Sequence, residues 1–157
     1  MPKTIEGSFQ SRAKKYGIVV SRFNDFITKR LLKGCLEELA RLGVKDRDAT
    51  VVWVPGSLEI PVTALTLAKK KNIDAVICLG AVIRGETFHF EIVARNAARG
   101  ISEVSLLTGK PVILGVLTTD TVDQAYRRSG VKGGNKGVDC ARAAVEMVNC
   151  LSQLKAV

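Results

Sequence analysis

The sequence predicts an α/β fold, a three-layer αβα sandwich around a mainly four-stranded parallel sheet. Two observations carry that prediction. Four short apolar runs, rich in β-branched residues, alternate with longer segments whose apolar residues recur every three or four positions. The runs are apolar throughout instead of alternating with polar residues, which marks strands covered on both faces. Strands of that kind, joined through helices by right-handed crossovers, lie parallel.

Each element has its own signal. The first strand is Tyr16–Val20 (YGIVV). Asn24 and Asp25 then offer caps to a helix with Ile27, Leu31, Leu32, Cys35, Leu36, Leu39 and Leu42 on its inner face, stopped by Gly43. Thr50–Val54 (TVVWV) is the second strand. Beyond Pro55-Gly56, a helix turns Ile60, Ala64, Leu65 and Ala68 inward, and Pro61 falls in its first turn, where a missing N–H is tolerated. Ala75–Leu79 (AVICL) is the third strand, followed by a turn bracketed by Gly80 and Gly85 and a long helix from about Phe90 to Leu107. Pro111–Leu117 (PVILGVL) is the fourth strand. A short helix near Val122–Arg128 leads into the glycine-rich link GVKGGNKG (Gly130–Gly137). The last helix spans about Val138 to Leu154, with Ala141, Ala144, Val145, Val148, Leu151 and Leu154 facing in. Thr4–Glu6 is a candidate extra strand and Ser8–Lys15 a connecting arm. The expectation is one domain over residues 1–157, with 1–15 as its N-terminal arm.

Composition narrows the function classes. With 46% hydrophobic and 25% charged residues, the chain has the balance of a globular protein, and no apolar run is long enough to cross a bilayer. Met1–Lys15 is polar and lacks the apolar stretch of a secretory signal, so the expected location is cytoplasmic. Cys35, Cys78, Cys140 and Cys150 show no paired-ligand spacing, and Cys35, Cys78 and Cys150 sit in apolar segments. They read as buried free thiols, and with His89 as the one histidine no metal site is expected. The net charge of +9 could draw nucleic acid, an anionic membrane or small phosphorylated metabolites. Aromatics are only 5% and are not interleaved with the basic residues, so a base-stacking platform is absent. Lys69-Lys70-Lys71 ends a predicted helix, where cations complement the dipole.

In open parallel sheets, ligands bind beyond the carboxyl ends of the strands. The loops that collect there are Ser21–Asp25, Pro55–Glu59, Ala81–His89 and Thr118–Thr121. They hold an aromatic, glutamates, an arginine, the histidine and several small residues, a composition suited to a polar, partly anionic small molecule. Each residue admits two readings. Phe23 either staples a helix start to the core or offers a flat lid to a heteroaromatic ring. Glu59 either complements a helix dipole or accepts hydrogen bonds from sugar hydroxyls. Thr87 either caps a helix or, with Glu86, presents amides to a phosphate. His89 is either structural or a proton-transfer group whose ordinary pKa suits neutral pH. Arg128 either ends a helix or grips phosphate with its planar fork. The link Gly130–Gly137 lacks P-loop spacing and follows a helix, which argues against an ATP site.

Taken in order, SRFNDFIT (Ser21–Thr28), VPGSLEIP (Val54–Pro61), GAVIRGETFHFE (Gly80–Glu91), GVLTTDTVDQA (Gly115–Ala125) and GNKG (Gly134–Gly137) resemble the lumazine synthase family, from Glu6-Gly7 to the last helix. The resemblance implies a flavodoxin-like sheet, with an N-terminal arm able to add a strand to a neighbouring subunit. The activity it implies is condensation of 5-amino-6-(ribitylamino)uracil with 3,4-dihydroxy-2-butanone 4-phosphate, without a cofactor. By position, Phe23 would stack on the pyrimidine, and Ser57, Leu58 and Glu59 would bind the ribityl chain. Ala81, Val82 and Ile83 would present backbone groups to the uracil edge. The amides of Glu86 and Thr87 would hold the phosphate, Arg128 would neutralise it and Lys136, in the loop nearby, would support it. His89 would transfer protons. The implied assembly is a pentamer in which Leu114, Arg128 and Lys136 reach the site from the adjacent subunit. The compact GVKGGNKG link is similar to that of members whose pentamers form icosahedral shells. Leu114 departs from the pattern, since an aromatic is common there, and ring packing on that side is expected to loosen. The partners implied are the two small-molecule substrates, further copies of the chain and riboflavin synthase, with neither membrane nor nucleic acid. The alternative is a non-catalytic shell protein of the same fold that binds a flavin, a lumazine or polyanions. His89 and Arg128 both standing in place argue against the flavin- or lumazine-binding form, and a steep salt dependence of nucleic-acid binding would mark the polyanion-binding one.

Overall fold

The computed structural model describes residues 1–157. Strands β1 (Tyr16–Ser21), β2 (Ala49–Val54), β3 (Ala75–Ile83) and β4 (Val112–Thr119) form one all-parallel sheet in the order β2-β1-β3-β4. The intervening helices are α1 (Asp25–Arg41), α2 (Ile60–Ala68), α3 (His89–Thr108), α4 (Val122–Arg127) and α5 (Lys136–Lys155). The sheet therefore has the flavodoxin-like order, with its topological switch between β1 and β3.

Side-chain alternation along the strands sorts the core into two layers. Tyr16, Ile18, Val20, Ile77 and Leu79 pack under α1 and α5 against Leu31, Cys35, Ala141 and Val145. Val19, Val76 and Cys78 face the other way, against Ile60 and Ala64 of α2 and Ile101 and Val104 of α3. Fully burying each such Leu, Ile or Val contributes about 1.5–3 kcal/mol relative to exposure. Two glycines set the geometry. Gly43 takes φ 95, which ends α1 where a side chain would be strained. At Gly137 an added Cβ would meet the Leu31 carbonyl, so α5 lies directly on the backbone of α1.

Several expectations need correction. β3 continues to Ile83 because β4 pairs with it throughout (Gly80↔Val116 to Ile83↔Thr119), so Gly80–Ile83 is strand and the turn is Arg84–Phe88. α5 starts at Lys136: the Asn135 side chain caps it by accepting from the Gly137 amide at 2.8 Å, so Lys136 is helical and not in the loop. Leu154 is exposed and Leu151 only half-buried, because the last turns of α5 run past the sheet; Cys150 is likewise half-buried, whereas Cys140 is buried. β2 lies at the sheet edge and leaves Val51 and Trp53 partly uncovered, unlike a strand covered on both faces. Thr4–Glu6 forms no strand within the chain. The arm lies along α5, where Asn149 donates to the Ser8 and Gln10 carbonyls and Gln153 to that of Glu6.

Candidate active site

β1, β2 and β3 all end on one rim, and the segments that leave them enclose a cleft of about 520 Å³. The β1–β2 ladder runs on past the strand ends, with the Arg22 amide donating to Val54 and that of Phe23 to Pro55. This holds the Phe23 backbone while the side chain stays 72% exposed, so it is no staple to the core. Asn24 does not cap α1 with its side chain. It adopts φ 62, a region that asparagine enters more readily than most residues, and its Nδ2 donates to the Ala81 carbonyl at 2.8 Å. That bond spans the switch point and ties the loop after β1 to the end of β3.

The second wall is Pro55–Glu59, which passes through a single 3₁₀ turn (Ser57–Glu59) into α2. Ser57 is buried, while Leu58 and Glu59 are exposed toward the cleft they line. Beneath them, Gly80 has room for no Cβ, since one would stand 2.9 Å from the Ser57 hydroxyl and 3.1 Å from that of Ser21. The Ser21 hydroxyl is buried and has no protein partner. The floor is Ala81, Val82 and Ile83 at the end of β3.

The third wall is the five-residue turn 84–88 and the first turn of α3. The amides of Gly85, Glu86, Thr87 and Phe88 donate to no protein acceptor. Such a run of free N–H groups before a helix N-terminus suits an anion. The Thr87 hydroxyl accepts weakly from the His89 amide at 3.4 Å, and His89 lines the cleft as the first residue of α3. The His89 ring has no protein hydrogen-bond partner, which leaves both nitrogens available to a ligand.

One chain thus brings together Phe23, Ser57, Leu58, Glu59, Ala81, Val82, Ile83, Thr87 and His89. Glu86 sits in the same turn but does not line the cavity. The fourth loop, Thr118–Thr121, does not reach it either. Thr118 and Asp120 border a neighbouring groove with Arg84, Phe90 and Leu114. Arg128 and Lys136 also stand outside the cleft, though next to each other: the Lys136 amide donates to the Arg128 carbonyl at 2.8 Å, and the Arg128 guanidinium donates to the Gln124 carbonyl at 3.2 Å. Sequence reasoning gave no site role to Asn24, Phe90 and Val93, which also line the cavity. Helical spacing could have found Val93, four residues after His89, and the preference of asparagine for left-handed backbone could have found Asn24. No three His, Cys, Asp or Glu side chains cluster as metal ligands would.

A sequence profile described as 6,7-dimethyl-8-ribityllumazine synthase matches residues 13–152. A curated relative from Desulfatibacillum aliphaticivorans, named 6,7-dimethyl-8-ribityllumazine synthase, is 53% identical over 155 residues, which cover 99% of this chain and 100% of that protein.

Proposed function

This chain belongs to the 6,7-dimethyl-8-ribityllumazine synthase family, and from that premise we infer how it condenses 5-amino-6-(ribitylamino)uracil with 3,4-dihydroxy-2-butanone 4-phosphate. The observation that carries the reading is the meeting of an exposed aromatic, a carboxylate, a set of free amides and one imidazole around a single cleft. Phe23 stacks on the pyrimidine, Ser57, Leu58 and Glu59 take the ribityl chain, and the backbone of Ala81–Ile83 meets the uracil edge. The free amides of Glu86 and Thr87 hold the butanone phosphate.

The substrate amine attacks the ketone and water leaves, giving a Schiff base; phosphate is then eliminated, and the second amine closes the ring with loss of another water. His89 moves the protons. Holding two reactants in register supplies much of the acceleration, up to roughly 7–11 kcal/mol in favourable cases. Arg128 and Lys136, outside the cleft of their own chain, neutralise the phosphate of an adjacent subunit's site, with Leu114 covering the pyrimidine from that side. The assembly is a pentamer, and the compact Gly130–Gly137 link favours pentamers that close into a shell. The free state of all four cysteines supports a reducing, cytoplasmic location.

Mixing the purified protein with both substrates should generate lumazine fluorescence and inorganic phosphate in equal amounts. Binding of either substrate without phosphate release would overturn the catalytic reading.

A further inference from the structure

The turn 84–88 has a peculiar construction. Four of its amides donate to no protein acceptor, and the bonds it does accept, from the His89 amide to the Thr87 hydroxyl and from the Glu91 and Ile92 amides to the Phe88 carbonyl, all lie at its α3 end. Its two ends are nevertheless held by one side chain. The Arg84 amide donates to the Thr119 carbonyl at 2.8 Å, which keeps Arg84 in the β3–β4 ladder. Its Nε donates to Asp120 Oδ1 at 2.8 Å, at the end of β4. From the same guanidinium, one terminal nitrogen lies 3.6 Å from Glu91 Oε1, in the first turn of α3, and the planar group sits 4.5 Å over the Phe90 ring. Asp120 is fixed in turn, since its amide donates to the Gln124 side chain at 2.8 Å. The hydrogen bond to Asp120, together with the charges of Asp120 and Glu91, holds the guanidinium in its protonated form.

We propose that Arg84 is a positioning residue, a clamp that fixes both ends of the turn 84–88 so that its free amides are preorganised for the phosphate of the sugar substrate. The inference rests on the reading of that turn as the phosphate site. Arg84 itself does not line the cleft and touches no substrate. Its contribution is conformational: a turn with few backbone bonds of its own has more freedom to lose on binding, and a clamp on its ends removes that freedom before the ligand arrives. Arginine suits the task because one planar fork can pair with two carboxylates while its face covers an aromatic ring, which lysine cannot do. A merely structural ion pair, about half exposed, would leave substrate affinities alone.

The test compares wild type with Arg84→Met, Arg84→Lys and Asp120→Asn, each checked for thermal unfolding and sedimentation. Steady-state kinetics with each substrate varied, and competition by inorganic phosphate, are the readouts. Arg84→Met should raise KM for the butanone phosphate and Ki for inorganic phosphate together by about tenfold, with KM for the pyrimidine unchanged within about twofold. Asp120→Asn should move the same two constants less, and Arg84→Lys should recover only part of the loss. Equal rises in both KM values, unchanged phosphate constants in a folded variant, or full rescue by lysine would overturn the clamp. If Arg84→Met does not fold, Asp120→Asn alone decides by the same criteria. If inorganic phosphate fails to compete with the sugar phosphate in wild type, the phosphate reading of the turn falls first, and the clamp with it.

Discussion

His89 is the residue to which the proposed mechanism gives the proton transfers. It opens α3, its ring is exposed in the cleft, and no protein group competes for either nitrogen. A positioned acid/base group typically contributes about 10²–10⁴-fold. Here the reacting amines and water can exchange some of those protons unaided, so His89→Ala should lower kcat by only about 10- to 100-fold while both KM values stay within about twofold. A variant with wild-type kcat would remove the imidazole from the mechanism. A residue-level reading of the sequence could offer Phe23, Glu59 and His89 only as pairs of alternatives, since a cap, a staple and a ligand contact share the same residue types. For Phe23 exposure separates the two: a stapling Phe23 would be buried, and it is not.

At the scale of elements, the α1–α5 contact carries one ionic tie whose pH dependence has a definite sign. The Glu38 side chain on α1 is only 4% exposed; it accepts from Arg142 Nε of α5 at 2.8 Å and from Arg41 at 3.2 Å. The Arg142 bond above all, with that of Arg41, holds its carboxyl below the ordinary range although burial pushes the other way. A carboxyl with a lowered folded-state pKa stabilises the fold at pH values above its ordinary one, 4.5, and that contribution is lost as pH falls from there through the folded value. Glu38→Gln should therefore cost about 1–2 kcal/mol at neutral pH, less than for a fully buried pair because both arginines remain solvated. Its stability should also fall less steeply than wild type below pH 4.5, followed by chemical unfolding at stepped pH. Parallel curves would show that the tie is not what titrates. α1 was legible in the sequence from its three- and four-residue periodicity and β1 from its uninterrupted apolar run, because local burial dictates both. The extension of β3 through Gly80–Ile83 was not, because glycine and alanine read as turn until the β4 ladder is seen beside them. The early start of α5 was hidden by its glycines, and the openness of β2 by the fact that an edge position leaves no mark on a strand's own pattern.

The whole molecule raises a question that a single chain poses by its gaps. Its cleft is open, and the cations suited to a phosphate, Arg128 and Lys136, are adjacent to each other but outside it. Leu114, on the edge strand β4, is 43% exposed, and Leu106 and Leu107 of α3 are more so. Leu106 shares a groove with Ile113 of β4 and Leu114 shares another with Val116, so apolar side chains line the edge at β4, a surface suited to association. If the site is completed by a neighbour around a closed ring, its halves can come from different variants. Arg128→Ala alone should raise KM for the butanone phosphate by about tenfold or more, since an anion loses its paired cation. His89→Ala subunits and Arg128→Ala subunits, unfolded together, reassembled at equal ratio and assayed with butanone phosphate well below the wild-type KM, should then regain activity, because about a quarter of the sites in a randomly mixed ring join an intact His89 to an intact Arg128. Mixing without reassembly should regain none. Activity that merely averages the two variants after reassembly would place both residues in the same chain's site and end the shared-site arrangement, even if sedimentation found a pentamer.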